Sequence, residues 1–532
     1  MKNEKIFQAI IERIITEKSK NDKDLTKLKL WACRTYGLNQ FPRNSDILSA
    51  ATEEQRKIIL QTLRLKPIRS VSGVYIITVM PKPYPCPKED PCIFCPGGPK
   101  DGTPQSYTGK EPAGRRAIEH NFDPYQQVKS RIEQFHIMGH TVDKVELIIF
   151  GGTITCYPKD YLEWFVTQCL NALSDSKAKT IQEAQQIAEN ASIRNSDITI
   201  ETRPDYLENE HINLMLSLGT TRVEIGVQTI NDAIYKHTNR GHTIDDVVNA
   251  TQRSKDAGFA VIYHMMPGLP GSDFQSDLES FNLIFNDQRF KPDAIKIYPT
   301  LILPGTKLYQ IWKKGKYQPY TLDELVELLV KIKKNVPSWV RIQRVQRDIP
   351  LNLVEGGVKR GDLRMIVQKE LQNQGSTCNC IRCREVGHMQ YKSDYKPQEA
   401  DIKFDIDTYP ASGGEELFLT YKDKNYNALI GLVRLRNPSE KAYETGHLIT
   451  KSMLVRELHV FGPTVTVGMK ADKKQWQHRG WGEKLMKQAE KIAFEKFDAK
   501  KVIVLAGIGT RNYYRRFGYE RDGPFMCKDI TT

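Results

Sequence analysis

Three cysteines, Cys86, Cys92 and Cys95, fall within the thirteen residues CPKEDPCIFCPGG (86–98), set among prolines and glycines with no other cysteine close by. Iron–sulfur clusters are held by thiolates, and a four-iron cluster closed by four cysteines only passes electrons. Three thiolates leave one iron open. An open iron can chelate the amino and carboxyl groups of S-adenosylmethionine, whose sulfonium is then reduced and cleaved to a 5′-deoxyadenosyl radical. A zinc site completed by a distant ligand would use the same three residues, so the triad alone leaves both open. Downstream, Gly151 and Gly152 end an apolar run, where missing side chains let the backbone approach a ligand.

A second triad, Cys378, Cys380 and Cys383, is spaced C-x-C-x-x-C. Structural zinc takes four ligands; His388 is the nearest candidate for the fourth and Cys527 a distant one. A structural zinc clip is the expectation, with free surface thiols as the alternative. Further on, QHRGWG (477–482) follows one apolar run and opens a helical pattern. A glycine-bearing turn at a helix N-terminus offers unpaired N–H groups and a positive dipole end to a pyrophosphate such as that of coenzyme A.

The elements that must carry these groups follow a rhythm. VYIITV (74–79), KVELIIFGG (144–152), DITIETR (197–203), RVEIGVQ (222–228), AVIYHMMPG (260–268) and AIKIYPT (294–300) alternate with amphipathic segments, which reads as six parallel strands with crossover helices. Polar or glycine residues close nearly every run, as Glu201, Arg203, Gln228 and His264 do, and strand ends build barrel active sites. The fold expected is therefore α/β, a partial six-stranded (β/α) barrel, followed by a smaller α+β unit. Four regions are expected: a basic helical segment (1–72), the barrel (73–372), a cysteine-bearing linker (373–400) and a C-terminal domain (401–532).

A net charge of +14 over 532 residues predicts attraction to a polyanion. Half of that surplus lies in residues 1–80, with fifteen Lys plus Arg against eight Asp plus Glu. There Ile6, Phe7, Ile10, Ile11, Ile14 and Ile15 repeat at helical spacing and form a packing stripe. No apolar run approaches the roughly 18 to 20 residues that span a bilayer, and clustered cysteines favour metal over disulfides. A cytoplasmic protein with no membrane association is expected.

The cysteine loop, GGT, ETRPD (201–205) and VEIGVQT (223–229) together resemble the radical S-adenosylmethionine enzymes. CIFCPGGP, QSYTGKEP (105–112), HMMPGLPG (264–271), KIYPT (296–300) and RVQRDIP (344–350) resemble the Elongator catalytic subunits, and GTRNYYRRFGYE (509–520) with the QHRGWG turn is similar to GNAT-type acetyltransferases. The likeness covers residues from about 64 onward. The longer gap between Cys86 and Cys92 departs from most radical enzymes but suits this family.

The resemblance implies a [4Fe-4S] cluster on Cys86, Cys92 and Cys95, and S-adenosylmethionine bound by Gly151, Gly152, Glu201, Arg203 and Gln228. It implies acetyl-CoA as co-substrate on Lys144, Glu457, Leu458, His459, Val460, Gly480, Trp481, Gly482, Glu483 and Tyr513, with Glu457, Tyr513 and Tyr514 as catalytic candidates. The implied activity is formation of 5-carboxymethyluridine at the transfer-RNA wobble position. Carbon 5 of uridine has no lone pair to acylate, so a radical drawn from the acetyl methyl would add to the base and the thioester would then be hydrolysed. His264, Lys296, Tyr298 and Arg344 are the candidates near a splayed-out base, and Arg64, Lys66 and Arg69 for gripping phosphates of the anticodon stem-loop. An external electron donor and a homodimer complete the expectation. The rival readings are a protein lysine acetyltransferase with a structural iron–sulfur domain, and a non-catalytic RNA-binding scaffold.

Overall fold

The computed structural model describes residues 2–17, 22–38, 40–63, 71–393, 395, 397–445, 451–463 and 476–530. Arg64, Lys66 and Arg69 lie outside them. Four helices, Lys2–Thr16, Asp22–Tyr36, Asn44–Ala50 and Glu53–Leu63, open the chain. Ile6, Ile10, Ile11 and Ile14 bury the stripe of the first against Leu25, Leu28, Ile47 and Ile59, a core separate from the rest. Arg56 ties this bundle to the next unit by donating to the carbonyl of His136 at 3.0 Å.

Seven parallel strands then pair in chain order: β1 (Tyr75–Val79), β2 (Lys144–Ile149), β3 (Arg194–Thr202), β4 (Arg222–Gln228), β5 (Ala260–Met265), β6 (Ala294–Ile297) and β7 (Arg341–Val345). Crossover helices join them, and β7 does not return to pair with β1, so the sheet is an open half-barrel. Six strands were expected. The seventh was missed because its charged RIQRV pairs only with β6 and stays partly exposed at the edge, without the apolar run of an inner strand. β5, by contrast, is buried at every residue.

The second sheet comprises β8 (Ile402–Ala411), β9 (Gly414–Asp423), β10 (Leu429–Asn437), β11 (Ser452–Val460), β12 (Lys501–Val504), β13 (Glu520–Asp522) and β14 (Phe525–Asp529), in the order β13-β14-β12-β11-β10-β9-β8. β8, IKFDIDTYPA, interleaves charged and apolar residues and has no unbroken apolar run. It is the outer strand, half exposed and carrying Pro410, which an edge tolerates because no ladder bond is lost. β11 runs parallel to β12 only from Ser452 to Val455. Arg456 is an extra residue in its pairing with β10, where Arg434 faces Glu457 and Leu435 faces Val455. That bulge bends β11 away from β12 and opens a wedge between the two strands.

The two sheets share a core. Leu454, Ile503, Leu505 and Ile508 of the second sheet's strands and turns pack with Val145, Ile198 and Val223 of the barrel. Around this lies a buried ionic layer: Arg456 bonds Asp293 at 2.7 Å and Glu416 at 2.9 Å, and Arg436 bonds Asp256 at 2.7 Å and Glu416 at 3.0 Å. Asp256 and Asp293 belong to the barrel, the three others to β9–β11.

Candidate active site

Beyond β1 the chain runs through Pro81, Pro83 and Pro85 to Cys86, a segment too rich in proline to hold itself by backbone pairing. Aromatic side chains clamp it instead. Tyr84 stacks on Tyr157 at 4.6 Å, Tyr157 donates its hydroxyl to the Lys82 carbonyl at 2.9 Å, and the Lys82 amide donates to Tyr161 at 3.0 Å. The loop beyond is fixed by the Ile93 amide on the Thr238 carbonyl and the Leu308 amide on that of Ile93.

Donors converge on the sulfurs. Gln105 Nε2 lies 3.2 Å from Cys95 Sγ, and Arg240 Nη1 lies 3.5 Å from Cys92 Sγ. Such donors stabilise thiolates. Burial and the neighbouring Cys92 push the Cys95 thiol up to about 11, so Cys95 ionises at neutral pH only with a cation at hand. Among the described residues the only metal-sized group gathered within 4.8 Å is the other triad, Cys378, Cys380 and Cys383. The first triad is spread more widely than one ion with bonds of about 2.3 Å would draw it. Three thiolates that leave one iron open, with Gln105 and Arg240 donating to two of the sulfurs, fit a [4Fe-4S] cluster.

Beside it, Gly152 has φ +90°, and a Cβ on Gly151 would press on Pro104. Gln228 also has a positive φ, +75°, and its buried Oε1 has no hydrogen-bond partner among the described residues. An acceptor left bare in a cavity is costly unless a ligand supplies a donor, so this position fits a bound amine or ribose hydroxyl. Glu201 accepts from Tyr107 at 2.7 Å and lies 3.6 Å from His264 Nδ1. Arg203 is engaged in a fork with Asp205 at 2.9 and 2.7 Å.

Deeper in the barrel, His264 Nε2 meets Glu224 at 2.7 Å and Lys296 Nζ meets the same carboxylate at 2.5 Å. Burial alone would favour neutral Glu224, but Lys296 and His264 outweigh it and hold the carboxylate ionised. Tyr298 packs edge-on against His264 at 5.2 Å. Glu224 was not singled out from the sequence. Its signal was the alternation in RVEIGVQ, which turns Glu224, Gly226 and Gln228 to the lumen.

One cavity of 620 Å³ joins these groups. It begins at Cys86, Cys92 and Cys95, passes Glu201, His264, Lys296 and Tyr298, and ends against Arg434, Glu457 and His459 of the second sheet.

Gly480 caps the helix Trp481–Phe497 in the left-handed conformation, φ +81°. A Cβ on Gly482 would collide with the Tyr513 hydroxyl, so Tyr513 sits directly over the helix start. Gln477 donates to the Val460 carbonyl at 3.1 Å and accepts from Lys144 Nζ at 3.0 Å, which brings the start of β2 to the turn. Burial pushes the Lys144 ammonium down to about 8. His459 Nε2 lies 2.9 Å from the Ser72 carbonyl. Leu458 and Val460 are half-buried on the splayed part of β11. Glu483 points outward and pairs with Lys487 at 2.8 Å.

Two candidates sit differently from their expected roles. Glu457 is bound to Arg222 at 2.9 Å and Arg434 at 2.8 Å, and despite burial these guanidiniums hold its carboxyl down at about 2. So weak a base does not take a proton at neutral pH. Tyr514 is buried in the core of the second sheet beside Tyr519 and packs edge-on behind Tyr513 at 5.4 Å.

The chain matches family descriptions along its length: the ELP3 N-terminal domain over 3–71, the radical SAM superfamily over 86–284, the radical SAM C-terminal domain over 292–373 and the acetyltransferase (GNAT) family over 384–519. It is 46% identical over 532 residues to the tRNA uridine(34) acetyltransferase of Methanocaldococcus jannaschii, covering 98% of each chain. Against human Elongator complex protein 3 it is 42% identical over 533 residues, covering 98% of this chain and 96% of that one. The chain belongs to the Elongator complex protein 3 family. The solved archaeal Methanocaldococcus infernus Elp3 with an N-terminal deletion superposes with a TM-score of 0.76 at 42% identity, covering 86% of this chain and all of the other. As an Elongator protein 3 family member the chain carries a radical SAM domain, which implies a [4Fe-4S] cluster and S-adenosylmethionine, and a GNAT domain suited to acetyl-CoA.

In this family member the linker triad lies where the two domains meet. Lys333 Nζ is 3.7 Å from Cys383 Sγ, and Cys380 is fully buried. Neither expected fourth ligand joins it. His388 instead lies 3.5 Å from Glu385, and Cys527 pairs across β14 and β12 with Ile503. Glu385, within REVG (384–387), also pairs with Arg341 of β7 and accepts from Ser72 at 3.0 Å. No helix among the described residues is long and apolar enough to cross a membrane.

Proposed function

We propose that the protein converts the wobble uridine of transfer RNA to 5-carboxymethyluridine with S-adenosylmethionine and acetyl-CoA. The observation that carries this reading is the cavity running from the three cysteines to Glu457 and His459, which lets a radical chemistry and an acetyl donor act on one substrate. A [4Fe-4S] cluster on Cys86, Cys92 and Cys95 with S-adenosylmethionine supplies a hydrogen-abstracting carbon radical. Gly151, Gly152, Glu201 and Gln228 line the place of the methionine and ribose, with Arg203 fixed by Asp205 beside them. Gly480 to Glu483, Tyr513 and Lys144 hold acetyl-CoA at the domain junction, with β11 from Glu457 to Val460 guiding its acyl end.

The acceptor is an unstacked base, because the lumen that Lys296, Tyr298 and His264 face admits no duplex. Lys296 offers a cation there, raised in pKa by Glu224 and Tyr298 against the effect of burial, and Arg344 stands at the rim beside Asp348 at 2.9 Å. The deciding experiment incubates reduced enzyme with transfer RNA, S-adenosylmethionine and labelled acetyl-CoA and analyses the wobble nucleoside by mass spectrometry. Labelled 5-carboxymethyluridine with matching 5′-deoxyadenosine supports the reading; an unmodified base with labelled protein lysine would overturn it.

The same reading takes residues 1–72, 73–372, 373–400 and 401–532 as four working regions, an external electron donor for the cluster, and a zinc ion on Cys378, Cys380 and Cys383. Zinc content that falls in Cys380→Ser while cluster iron persists tests that last point.

A further inference from the structure

Tyr513 lies on the five-residue helical turn Arg511–Arg515, too short to hold its own geometry. The turn has two faces. Tyr514 enters the core of the second sheet and Tyr513 covers Gly482. Arg511, Asn512 and Arg515 instead reach across to the barrel, where they meet Glu189 at the C-terminus of the helix Ile181–Ala188.

That one carboxylate takes three guanidiniums. Arg511 Nη1 is 3.0 Å from Oε1, Arg515 Nη1 is 2.7 Å from Oε2, and Arg521 Nη1 is 3.5 Å from Oε1. Asn512 adds a bond to the Glu189 carbonyl at 3.1 Å. The Arg511 side chain is 1% exposed and that of Glu189 7%. Without the carboxylate, Arg511 is a buried cation with no countercharge, which the turn can relieve only by moving. The preceding residues cannot compensate by sliding, since Gly507 and Gly509 already touch the backbone of Ser196 and Asn195 with no room for a Cβ.

We propose that Glu189 of the barrel is the positioning residue for Tyr513, so that the acetyl-CoA pocket of the second domain is completed by the first. This rests on the reading that Tyr513 contacts acetyl-CoA. Glu189 touches no substrate; it acts through the turn. The pocket therefore exists in its binding form only while barrel and acetyltransferase sheet are docked.

The test is a double-mutant cycle on the full-length, cluster-loaded protein, with acetyl-CoA affinity measured by calorimetry. Glu189→Gln keeps the shape and removes the charge, and Tyr513→Phe removes the hydroxyl. Each single variant is expected to weaken binding about tenfold, and the double variant to bind about as Tyr513→Phe alone, because residues acting as one unit are not additive. Glu189→Asp should recover part of the loss, and iron content should not change. Independent losses that multiply in the double variant would overturn the proposal, as would full affinity in Glu189→Gln when Tyr513→Phe is impaired. If Tyr513→Phe binds normally, the acetyl-CoA assignment of Tyr513 itself has failed and the proposal falls with it. Should Glu189→Gln not fold, Arg515→Ala, which removes one half-exposed partner, takes its place with the same outcomes.

Discussion

Arg222, at the foot of β4, and Glu457, on the bulged part of β11, meet at 2.9 Å across the boundary between barrel and acetyltransferase sheet. Arg222 also holds Asp197 at 3.1 Å, and Glu457 also holds Arg434. The two folds therefore meet through charges that neither can bury alone, and Glu457, a catalytic candidate in the sequence, is tied into this joint by two guanidiniums.

The joint predicts joint unfolding. Asp293→Ala removes the barrel carboxylate that Arg456, Arg434 and Lys255 share, leaving buried cations short of countercharge. Breaking such a set by deleting one member costs about 3–5 kcal/mol. Urea titration should show that loss, with both domains melting in one transition by fluorescence and by circular dichroism. Separate transitions, or a loss below about 1 kcal/mol, the scale of exposed pairs, would contradict the account.

Much of this architecture could be read from residue order. The inner strands announce themselves because burial on both faces demands unbroken β-branched runs, and the glycine turn and cysteine spacing carry their chemistry locally. What escaped is what depends on distant partners. Arg341–Val345 and Ile402–Ala411 look like charged surface until a neighbouring strand pairs with them. Arg434, Arg436, Arg456 and Glu416 read as the polar face of ordinary strands, yet they are buried because a barrel covers them. His388 followed the linker cysteines closely in sequence but turns to Glu385, while Lys144 and Gln477, 333 residues apart, are in contact. Resemblance, not spacing, pointed to Lys144.

At the cysteine loop, Cys92→Ser should abolish cluster iron and deoxyadenosine release while the fold persists, because the Cys92 carbonyl still accepts from the Cys95 amide and the Ile93 amide still donates to the Thr238 carbonyl. Gln105→Ala keeps all three ligands but removes the amide 3.2 Å from Cys95. It should retain iron and shift the midpoint potential of the cluster, since hydrogen bonds to the sulfurs set that potential. Redox titration followed by electron paramagnetic resonance distinguishes the two variants; an unshifted potential in Gln105→Ala would rule out a tuning role.

Gly482 stands where an added methyl would strike the Tyr513 hydroxyl. In Gly482→Ala the tyrosine must move off the helix start, so acetyl-CoA affinity should fall by about tenfold or more, on the order of 1.4 kcal/mol. The helix itself gains from alanine by about 0.5–1 kcal/mol, and the melting temperature should hold or rise. Calorimetric binding beside thermal unfolding separates the two effects, and unchanged affinity would mean that Tyr513 has no part in the pocket.

Lys144 makes the turn sensitive to pH. Burial lowers its pKa to about 8, with Asp143 pulling weakly the other way, so the ammonium is charged below that value and neutral above it. An ammonium beside Gln477 and His478 attracts the phosphates of coenzyme A, and acetyl-CoA affinity should decline as pH rises from 7 to about 9.5. Lys144→Arg should flatten the decline, because guanidinium stays charged throughout, and Lys144→Met should bind weakly at every pH. Stability moves the opposite way. With the folded-state pKa below the unfolded value of about 10.4, this group's contribution is lost as pH falls through 8 and is restored as pH rises toward 10.4. Weaker binding at pH 9 thus cannot be ascribed to unfolding driven by Lys144, and affinity that stays level between pH 7 and 9.5 in the wild-type protein would exclude the ammonium from the acetyl-CoA site.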